Sequence, residues 1–407
     1  MTKTAIAKPD LIVAGVMSGT SADGINVALV RMQNRRGSGQ RHAPTRVAHP
    51  YFALLGYAEY PYPKPVRTAV LAAMNASHAS VADLARLNFL LGELYADAVR
   101  AAERQFRVKA NLIGCHGQTL YHQGEPQLFL GRKLAATWQT GESAILAART
   151  GAPVVSDFRP ADLGAGGKGA PLVPFLDYLF FRDPHVGRIV QNIGGIANLT
   201  AIPAAATVDE VIAFDTGPGN MVIDAVTEKL FSQPFDRNGR IAASGKILDP
   251  VVRTILRRDF FARIPPKTAG REEFGREFVR EFLRNCGRCR KQDAVATATA
   301  LTAKSIATAV RHHATGNSRP SRKADFAEMI LSGGGAKNST LVTMLAGELT
   351  PLGVGLRLSD EFGLPSAAKE AIAFAVLAHE TWHRHPSNIP SATGATRPAV
   401  LGKISYP

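Results

Sequence analysis

The sequence is poor in cysteine, in aromatic residues and in acidic residues relative to basic ones. Its 407 residues include only 3 cysteines, which excludes a disulfide-rich scaffold and is typical of a reducing compartment. No apolar run approaches the roughly 20 residues that a membrane-spanning helix needs. The first residues, MTKTAIAKPDLIVAG, lack the apolar core and cleavage site of a signal peptide because Pro9 and Asp10 interrupt them. We therefore expect a cytoplasmic protein with no membrane partner.

Two of the cysteines, Cys286 and Cys289, form an isolated CxxC pair. A zinc site would need a second pair or histidines close by, and none is spaced for it around this stretch. The pair therefore predicts two ordinary thiols at a helix end, with metal or redox use as the minor alternative.

The basic excess of the chain gives a formal net charge of +15. Nucleic-acid binding is one explanation for such a charge. However, the excess lies largely in stretches 31–46, 284–292 and 311–323, and none of them interleaves aromatic with basic residues as single-strand binders do. We expect a solvated basic surface and no nucleic-acid partner. The positive electrostatic potential of such a surface would suit a small anionic substrate.

The length and the pattern of the chain predict two α/β domains. Long helical periodicities cover 80–106, 295–313 and 367–383, and the last of these is expected to return to the first domain. Residues 32–47 and 314–324 are expected to be exposed connections. The predicted strands are DLIVAGV, INVALV, NLIGCHG, APVVSD, GRIVQNIGG, ANLTAI, VIAFD, AEMILSGGG and GLRLSD.

Small and hydroxylated residues fill a turn in GVMSGTSADGINVALV, between two alternating apolar stretches. The alternation predicts a strand–turn–strand hairpin, since a Walker-type loop would lead into a helix. Its amides and the hydroxyls of Ser18, Thr20 and Ser21 suit phosphate oxygens, and Asp23 suits hydrated magnesium. An ordinary polar hairpin is the alternative.

Two further glycine turns follow apolar strands. In AFDTGPGNMVIDAV, Asp215 ends a strand beside a glycine loop and a helix that Asn220 would cap, which favours phosphate binding or catalysis. An aspartate that only caps the loop is the alternative. In MILSGGGAKN, Gly333, Gly334 and Gly335 suit a close backbone approach to a ligand.

Two polar stretches between these turns are candidates for substrate contact. The stretch GCHGQT places His116 after a strand, where it could meet a sugar hydroxyl, although a lone histidine is more often structural. The glycine-rich stretch SDFRPADLGAGGKGAPLVP contains Arg159, Asp162 and Lys168, as a ligand-binding loop does. A flexible surface connection would have a similar composition.

These blocks, taken in order, resemble the anhydro-N-acetylmuramic acid kinases of the actin-like ATPase and sugar kinase superfamily. The resemblance rests also on NIGGIANLT, PKTAGREEF, DEFGLPSAAKEAIAFAVLAH and SATGATRPAVLG. It implies a two-domain, ribonuclease H-like α/β fold with ATP in the cleft between the domains. The first domain would comprise residues 1–140 plus about 370–407, and the second about 141–369.

The resemblance implies an enzyme of cell-wall recycling, in which ATP and water convert 1,6-anhydro-N-acetylmuramic acid to N-acetylmuramic acid 6-phosphate and ADP. Magnesium, a cytoplasmic location and a homodimer are implied as well. A kinase of another amino sugar or a simple sugar, without hydrolysis of an anhydro bond, is the alternative. A non-catalytic sensor of ATP or sugar is disfavoured because the acidic residues are present.

Carried over position by position, the resemblance implies roles for particular residues. Asp215 is the catalytic base that takes a proton from water, and Glu361 assists it. Asn26 stands where the family usually has an aspartate, which removes one charge near the phosphates. The implied ATP-binding residues are Gly19, Thr20, Ser21, Ala22, Asp23 (also the metal ligand), Gly24, Ile25, Asn26, Gly217, Gly219, Gly333, Gly334 and Gly335, and the substrate-binding residues are His116, Gln118, Thr119, Arg159 and Asp162.

Overall fold

A computed structural model describes residues 10–33, 51–314 and 326–407. The chain divides into two compact units: unit 1 comprises Met1–Phe180 and Ala367–Pro407, and unit 2 comprises Phe181–Ser366. Most of the predicted connection at 32–47 and nearly all of that at 314–324 lie outside the described residues. No helix within the described ranges combines the length and the hydropathy that crossing a bilayer would require.

Strands and helices alternate along the chain. The strands are β1 (Leu11–Ser18), β2 (Gly24–Met32), β3 (Phe52–Pro61), β4 (Leu112–Phe129), β5 (Arg132–Thr140), β6 (Val154–Ser156), β7 (Gly187–Ile193), β8 (Ile196–Ile202), β9 (Ile212–Pro218), β10 (Phe326–Ser332), β11 (Gly355–Leu358) and β12 (Lys403–Ser405). The helices are α1 (Lys64–Ala73), α2 (Val81–Phe106), α3 (Ser143–Thr150), α4 (Phe158–Gly164), α5 (Pro174–Phe181), α6 (Asn220–Phe231), α7 (Arg240–Ala243), α8 (Asp249–Leu256), α9 (Asp259–Ala262), α10 (Arg271–Phe274), α11 (Arg276–Cys286), α12 (Lys291–Ala309), α13 (Ser339–Leu349), α14 (Lys369–Trp382) and α15 (Pro390–Thr393).

The sheet of unit 1 has the order β12-β6-β4-β1-β2-β3, with β5 also paired to β4. Strands β1, β2 and β3 pair antiparallel, whereas β4 and β6 join parallel to β1 and to β4. The central strand β1 is buried along most of its length. Its nearly continuous apolar sequence follows from that position, because both faces of the strand are covered.

Helix α14 lies directly on this sheet because two strand glycines leave room for it. A β-carbon at Gly15 would collide with the carbonyl oxygen of Ala371, and one at Gly114 with that of Phe374. On α2, the buried side chains of Leu87, Leu91 and Tyr95 recur every four residues and form one face of the unit 1 core. Helix α14 is therefore part of unit 1.

The sheet of unit 2 has the order β11-β10-β7-β8-β9. Strands β7, β8 and β9 pair antiparallel, and β10 and β11 pair parallel on the other side of β7. This order and these directions repeat those of β1, β2, β3, β4 and β6 in unit 1. The repeated topology confirms the predicted fold class, two α/β units of ribonuclease H-like arrangement.

The boundary between the units differs from the sequence-based one near residue 140. Strand β6 pairs with β4, and β12 from the C-terminal segment pairs with β6, so the chain after β5 still belongs to the first sheet. The boundary falls instead at Phe180/Phe181. The sequence also missed β3, β5 and β12.

Candidate active site

The predicted phosphate hairpin connects β1 to β2. Its tip is closed by the amide of Ala22, which donates to the carbonyl of Gly19 (3.1 Å). The side chains of Thr20 and Ser21 are exposed and have no hydrogen-bond partner among the described residues, so they are accessible to a phosphate group. Ala22 and Ile25 are buried, which excludes contact of these two predicted ATP-binding side chains with a ligand outside the core.

A buried network of hydrogen-bonded polar side chains supports this hairpin. The hydroxyl of Ser18 lies 2.8 Å from that of Tyr62 and 2.6 Å from Oε1 of Gln118, and Tyr62 reaches Tyr95 at 3.2 Å. Nε2 of Gln118 donates to the carbonyl of Gly19 (3.2 Å). Gln118 is fully buried, so it positions the turn, and its predicted contact with substrate is not supported.

Asp23 lies at the exposed edge of the hairpin and pairs with Arg67 (3.3 Å). Its side chain is 73% exposed, and such surface ion pairs contribute about 0–1 kcal/mol, so Arg67 competes weakly with a dication. The part of the chain that the structure describes holds no ready-made group of three or more His, Cys, Asp or Glu ligands. The residues therefore fit magnesium held by one carboxylate, phosphate oxygens and water.

In unit 2, a row of polar residues crosses the sheet. Asn192 on β7 is paired with Ser332 on β10 and with Asn198 on β8, and Asn198 is paired with Asp215 on β9. The row lies at the carboxyl ends of the parallel strands β7 and β10, where α/β sheets commonly bind ligands.

Asp215 is held by one of its two carboxylate oxygens. Oδ2 accepts the amide of Ala269 (2.7 Å), whereas Oδ1 has no partner in the described chain. Burial raises the pKa of Asp215 to about 7, helped by the charge of Glu272 and opposed by the Ala269 amide and the ammonium of Lys267. A carboxylate that has one oxygen without a hydrogen-bond partner and a pKa of about 7 can exchange protons near neutral pH, as a general base must.

Sequence reasoning assigned no role to Lys267, which neighbours this carboxylate. Its side chain is buried, and Nζ donates to the carbonyls of Phe260 (3.1 Å) and Phe261 (3.4 Å) while lying 4.8 Å from the Phe260 ring centroid. Burial lowers the pKa of Lys267 to about 8, although Asp215 raises it. Lys267 belongs to the stretch PKTAGREEF, one of those that carry the family resemblance.

The glycine turn after Asp215 supports a second hairpin. The amides of Gly219 and Asn220 donate to the carbonyls of Gly195 (2.9 Å) and Gly194 (2.7 Å). A β-carbon at Gly219 would collide with the Gly194 carbonyl, and one at Gly217 would approach the Ser305 hydroxyl to 2.8 Å. The predicted phosphate contacts of Gly217 and Gly219 are therefore not supported, because the Gly219 amide is used inside the protein and Gly217 packs against Ser305.

The second hairpin connects β7 to β8, and its tip is Gly194 and Gly195. It occupies the same place in the topology of unit 2 as the Gly19–Asp23 turn does in unit 1. The two tip amides make no hydrogen bond to described protein groups, and added β-carbons would meet no atom closer than 3.5 Å. The amides of this open turn are therefore more accessible to a ligand than the amide of Gly219.

The triple glycine after β10 packs against the end of β7. The amide of Gly333 donates to the Ser366 hydroxyl (2.7 Å), and a β-carbon at Gly335 would collide with Ile193. A β-carbon at Gly334 would lie no closer than 3.5 Å to any atom. Of the three, Gly334 has the space for a ligand that sequence reasoning attributed to all of them.

The buried His116 and the half-buried Arg159 form a pair in unit 1. Nδ1 of His116 lies 2.8 Å from the Gly117 carbonyl, and Nε2 lies 2.9 Å from Nη2 of Arg159. Because a carbonyl only accepts and a guanidinium only donates, His116 is the neutral Nδ1–H tautomer. Burial and the Arg159 charge lower the pKa of His116 to about 3. His116 thus orients Arg159 and has no free nitrogen for a sugar hydroxyl.

Asp162 organises the glycine-rich loop. Its carboxylate is fully buried and accepts from the amide of Gly169, from Nδ2 of Asn388 and from the hydroxyl of Thr393, all at 2.8 Å. Its predicted contact with substrate is therefore not supported. Thr119, also predicted to bind substrate, accepts a long hydrogen bond from Gln139 (3.4 Å).

Glu361 lies at the other side of the unit 2 sheet from Asp215. It follows β11, which is the strand farthest from β9 in the order, and it accepts from the Leu358 amide (2.8 Å) and from Nε of Arg357 (3.1 Å). These two donors lower the pKa of Glu361. The structure records no contact that brings the two predicted catalytic carboxylates together.

Comparison with known proteins decides the family. The family model described as anhydro-N-acetylmuramic acid kinase matches residues 11–407. The chain belongs to the anhydro-N-acetylmuramic acid kinase family. A relative from Bacillus cereus (strain Q1) with that name is 43% identical over 400 residues, covering 98% of this chain and all of its own. One from Bacillus thuringiensis subsp. konkukian (strain 97-27) is 42% identical over the same share.

Solved structures with similar folds are more distant. An activator of the 2-hydroxyisocaproyl-CoA dehydratase from Clostridium difficile with bound ADPNP covers 91% of this chain and 95% of its own, at 13% identity and a TM-score of 0.40. A ROK hexokinase from Thermus thermophilus covers 92% of this chain and all of its own, at 13% identity and a TM-score of 0.39.

Asn26, where the resemblance implies an aspartate, lies on β2. The residue is partly exposed on β2, between the buried Ile25 and Val27, and is paired in register with Glu59 on β3 and Met17 on β1. Its side chain is therefore on the face of β2 opposite to those two apolar residues, as the alternation predicted.

Proposed function

We propose that this chain hydrolytically opens 1,6-anhydro-N-acetylmuramic acid and phosphorylates its O6 with ATP, releasing N-acetylmuramic acid 6-phosphate and ADP. The observation that supports this most is Asp215: one oxygen is fixed by Ala269, the other is unpartnered, and the pKa is about 7. A simple sugar kinase would need a base only for a hydroxyl, whereas this reaction needs one for water.

In the proposed reaction, Oδ1 of Asp215 takes a proton from water as the water oxygen bonds to carbon 1. The bond between carbon 1 and O6 breaks, and the carboxylate stabilises the positive charge that develops on carbon 1. The electron pair left on O6 attacks the γ-phosphorus of ATP, and the bond to ADP breaks. The positive charge of Lys267 lowers the pKa of Asp215 and so keeps enough of the carboxylate ionised at neutral pH.

Phosphoryl transfer depends mainly on placement and electrostatics. The open amides of Gly194 and Gly195, and the Thr20 and Ser21 hydroxyls, are proposed to bind phosphate oxygens. Magnesium would neutralise charge on the phosphates when bound, and Asp23 is the residue proposed to hold it.

Other residues are proposed to act on the sugar. Arg159 has N–H groups left over beyond those bound to His116 and Gly169, which suits the substrate carboxylate. Glu361 is assigned a supporting role, for which its carboxylate would have to leave Arg357. The chain is further proposed to act in cell-wall recycling in the cytoplasm, where ATP is available, and to form a homodimer.

The test is product analysis with the purified chain, ATP, magnesium and the anhydro sugar in oxygen-18 water. We expect a phosphorylated product that carries one labelled oxygen at carbon 1, since the incoming water supplies that oxygen. A phosphorylated product without label, or phosphorylation only of simple sugars that have no anhydro bond, would replace the proposal with the plain sugar-kinase alternative.

A further inference from the structure

Three histidines surround a buried glutamate at the C-terminal end of α14. The stretch HETWHRH contains His379, Glu380, His383 and His385. His379 lies in the last turn of α14, and His383, four positions further, is the residue directly after the helix end. Their ring centroids are 4.3 Å apart, and those of His383 and His385 are 5.9 Å apart.

The hydrogen bonds of these rings fix their tautomers. Nδ1 of His379 and of His385 each lie 3.1 Å from a carboxylate oxygen of Glu380. Nδ1 of His383 lies 2.9 Å from the carbonyl of His379. Carboxylates and carbonyls only accept, so in each neutral ring Nδ1 carries the hydrogen and Nε2 carries a lone pair. None of the three Nε2 atoms has a partner within the described residues.

A histidine whose Nδ1–H is tied to a carboxylate or a carbonyl is oriented as metal-binding histidines are. We propose that Nε2 of His379 and Nε2 of His383, joined by Nε2 of His385, bind a divalent transition metal ion of the zinc class. Neutral imidazole suits these ions, and two histidines at i and i+4 on a helix are a common pair of ligands.

The two rings that already lie side by side are those of His379 and His383. The described residues do not contain three or more ligands already arranged around one ion, so His385 has to turn toward the pair and exchange its hydrogen bond to Glu380 for the ion. Its side chain is 53% exposed, which leaves the ring free to do so. Water would complete the tetrahedral coordination that zinc prefers.

The site is structural rather than hydrolytic. In metalloproteases with an HExxH motif, the glutamate activates water on the metal. Here the Glu380 side chain is only 4% exposed and accepts from two of the imidazoles, so it supports the ligands instead. A bound ion would tie the end of α14 to the turn that follows it and thereby stabilise unit 1, because the unfolded chain lacks this arrangement.

The experiment uses the untagged full chain, freed of metal, and titrates Zn²⁺ against a chromogenic chelator. We expect one ion per chain, with affinity reduced at least tenfold in His383→Ala and unchanged in the matched control His78→Ala, an exposed histidine of unit 1. The double variant Cys286→Ser/Cys289→Ser should also bind as the parent does. Absence of binding, or binding that survives His383→Ala, would overturn the proposal.

A second readout separates metal binding from a folding defect. Saturating Zn²⁺ should raise the Tm of the parent and of His78→Ala but not that of His383→Ala, while the three metal-free proteins melt alike, because His383 is exposed. Loss of the zinc response in the cysteine variant, with retention in His383→Ala, would move the site to the CxxC pair and reject the histidine site.

Discussion

At the scale of single residues, the chemistry of the site follows from how Asp215 is desolvated and what faces it. Burial alone would keep the carboxyl protonated, which would remove the proposed base. The Ala269 amide and the Lys267 ammonium oppose burial and bring the pKa to about 7. Lys267 is thus proposed as a positioning residue that acts through the charge of Asp215.

Replacing Lys267 by methionine is expected to shift the pH–rate profile. The parent should lose kcat/KM as the pH falls through about 7, because protonation removes the base. Without the ammonium, the pKa of Asp215 rises, so this acid limb should move to higher pH while the alkaline plateau is largely kept. Lys246→Met, which alters an exposed lysine of the same unit, is the control. An acid limb that stays in place in Lys267→Met would show that the lysine does not tune Asp215.

Asp215→Asn is expected to stabilise the protein in a pH-dependent way. The pKa is raised from 3.8 to about 7 on folding, so between these values the folded chain holds a proton that the unfolded chain has lost. The parent therefore loses stability as the pH rises through this window, by up to about 4 kcal/mol. The amide variant avoids that loss, so its excess stability in urea unfolding should be larger at pH 8 than at pH 5. An equal difference at both pH values would contradict the raised pKa.

Residue patterns predicted Asp215 and the exposed hydroxyls of the first hairpin, because their positions at strand ends are visible in the sequence. They did not predict that Gln118 and Asp162 are buried supports, or that His116 is a neutral partner of Arg159. Those roles depend on contacts between residues far apart in the chain. The sequence shows only that these residues are polar, and polar residues occur both at buried structural positions and at ligand sites.

At the scale of elements, the β1–β2 hairpin of unit 1 and the β7–β8 hairpin of unit 2 are held in different ways. In unit 2 the start of α6 donates to the Gly194 and Gly195 carbonyls. In unit 1 the buried Gln118 links Ser18 to the Gly19 carbonyl. A hairpin fixed in this way has less conformational entropy to lose when phosphate binds.

Gln118→Ala is therefore expected to weaken ATP binding. Losing the two hydrogen bonds to the turn leaves buried groups unsatisfied, at a cost of about 1–3 kcal/mol. Part of this should appear as a several-fold higher KM for ATP, with a smaller change in KM for the sugar. Gln127→Ala, at an exposed position of the same strand, should behave as the parent. A KM for ATP that equals the parent value would remove Gln118 from the support of the turn.

Strands and helices with strong periodicity were predicted well, as α2 and α14 illustrate. Strand β3 was missed because it follows the basic stretch and mixes polar with aromatic residues, and β12 has only three residues. Strand β5 was missed because it depends on pairing with the outer half of β4, which no local pattern signals. The second hairpin became visible as a phosphate turn only when the order of the strands in both sheets was known.

At the scale of the whole molecule, the net charge of +15 is expected to assist the encounter with anionic substrates. Raising the salt concentration from about 0.02 M to about 0.5 M shortens the Debye length and screens this attraction. We expect kcat/KM for the anhydro sugar acid to fall several-fold while kcat stays nearly constant. Steady-state kinetics at fixed magnesium would measure this. A kcat/KM that does not change with salt would show that the charge serves another purpose.

The central claim is that the Asp215 carboxylate is the base for the attacking water, and turnover of Asp215→Asn tests it most directly. The account predicts a kcat about 100- to 10,000-fold below that of the parent, with an unchanged dissociation constant for ATP. Asp209→Asn, at an exposed carboxylate of the same unit, should keep the parent kcat. Near-parent turnover by Asp215→Asn would contradict the account.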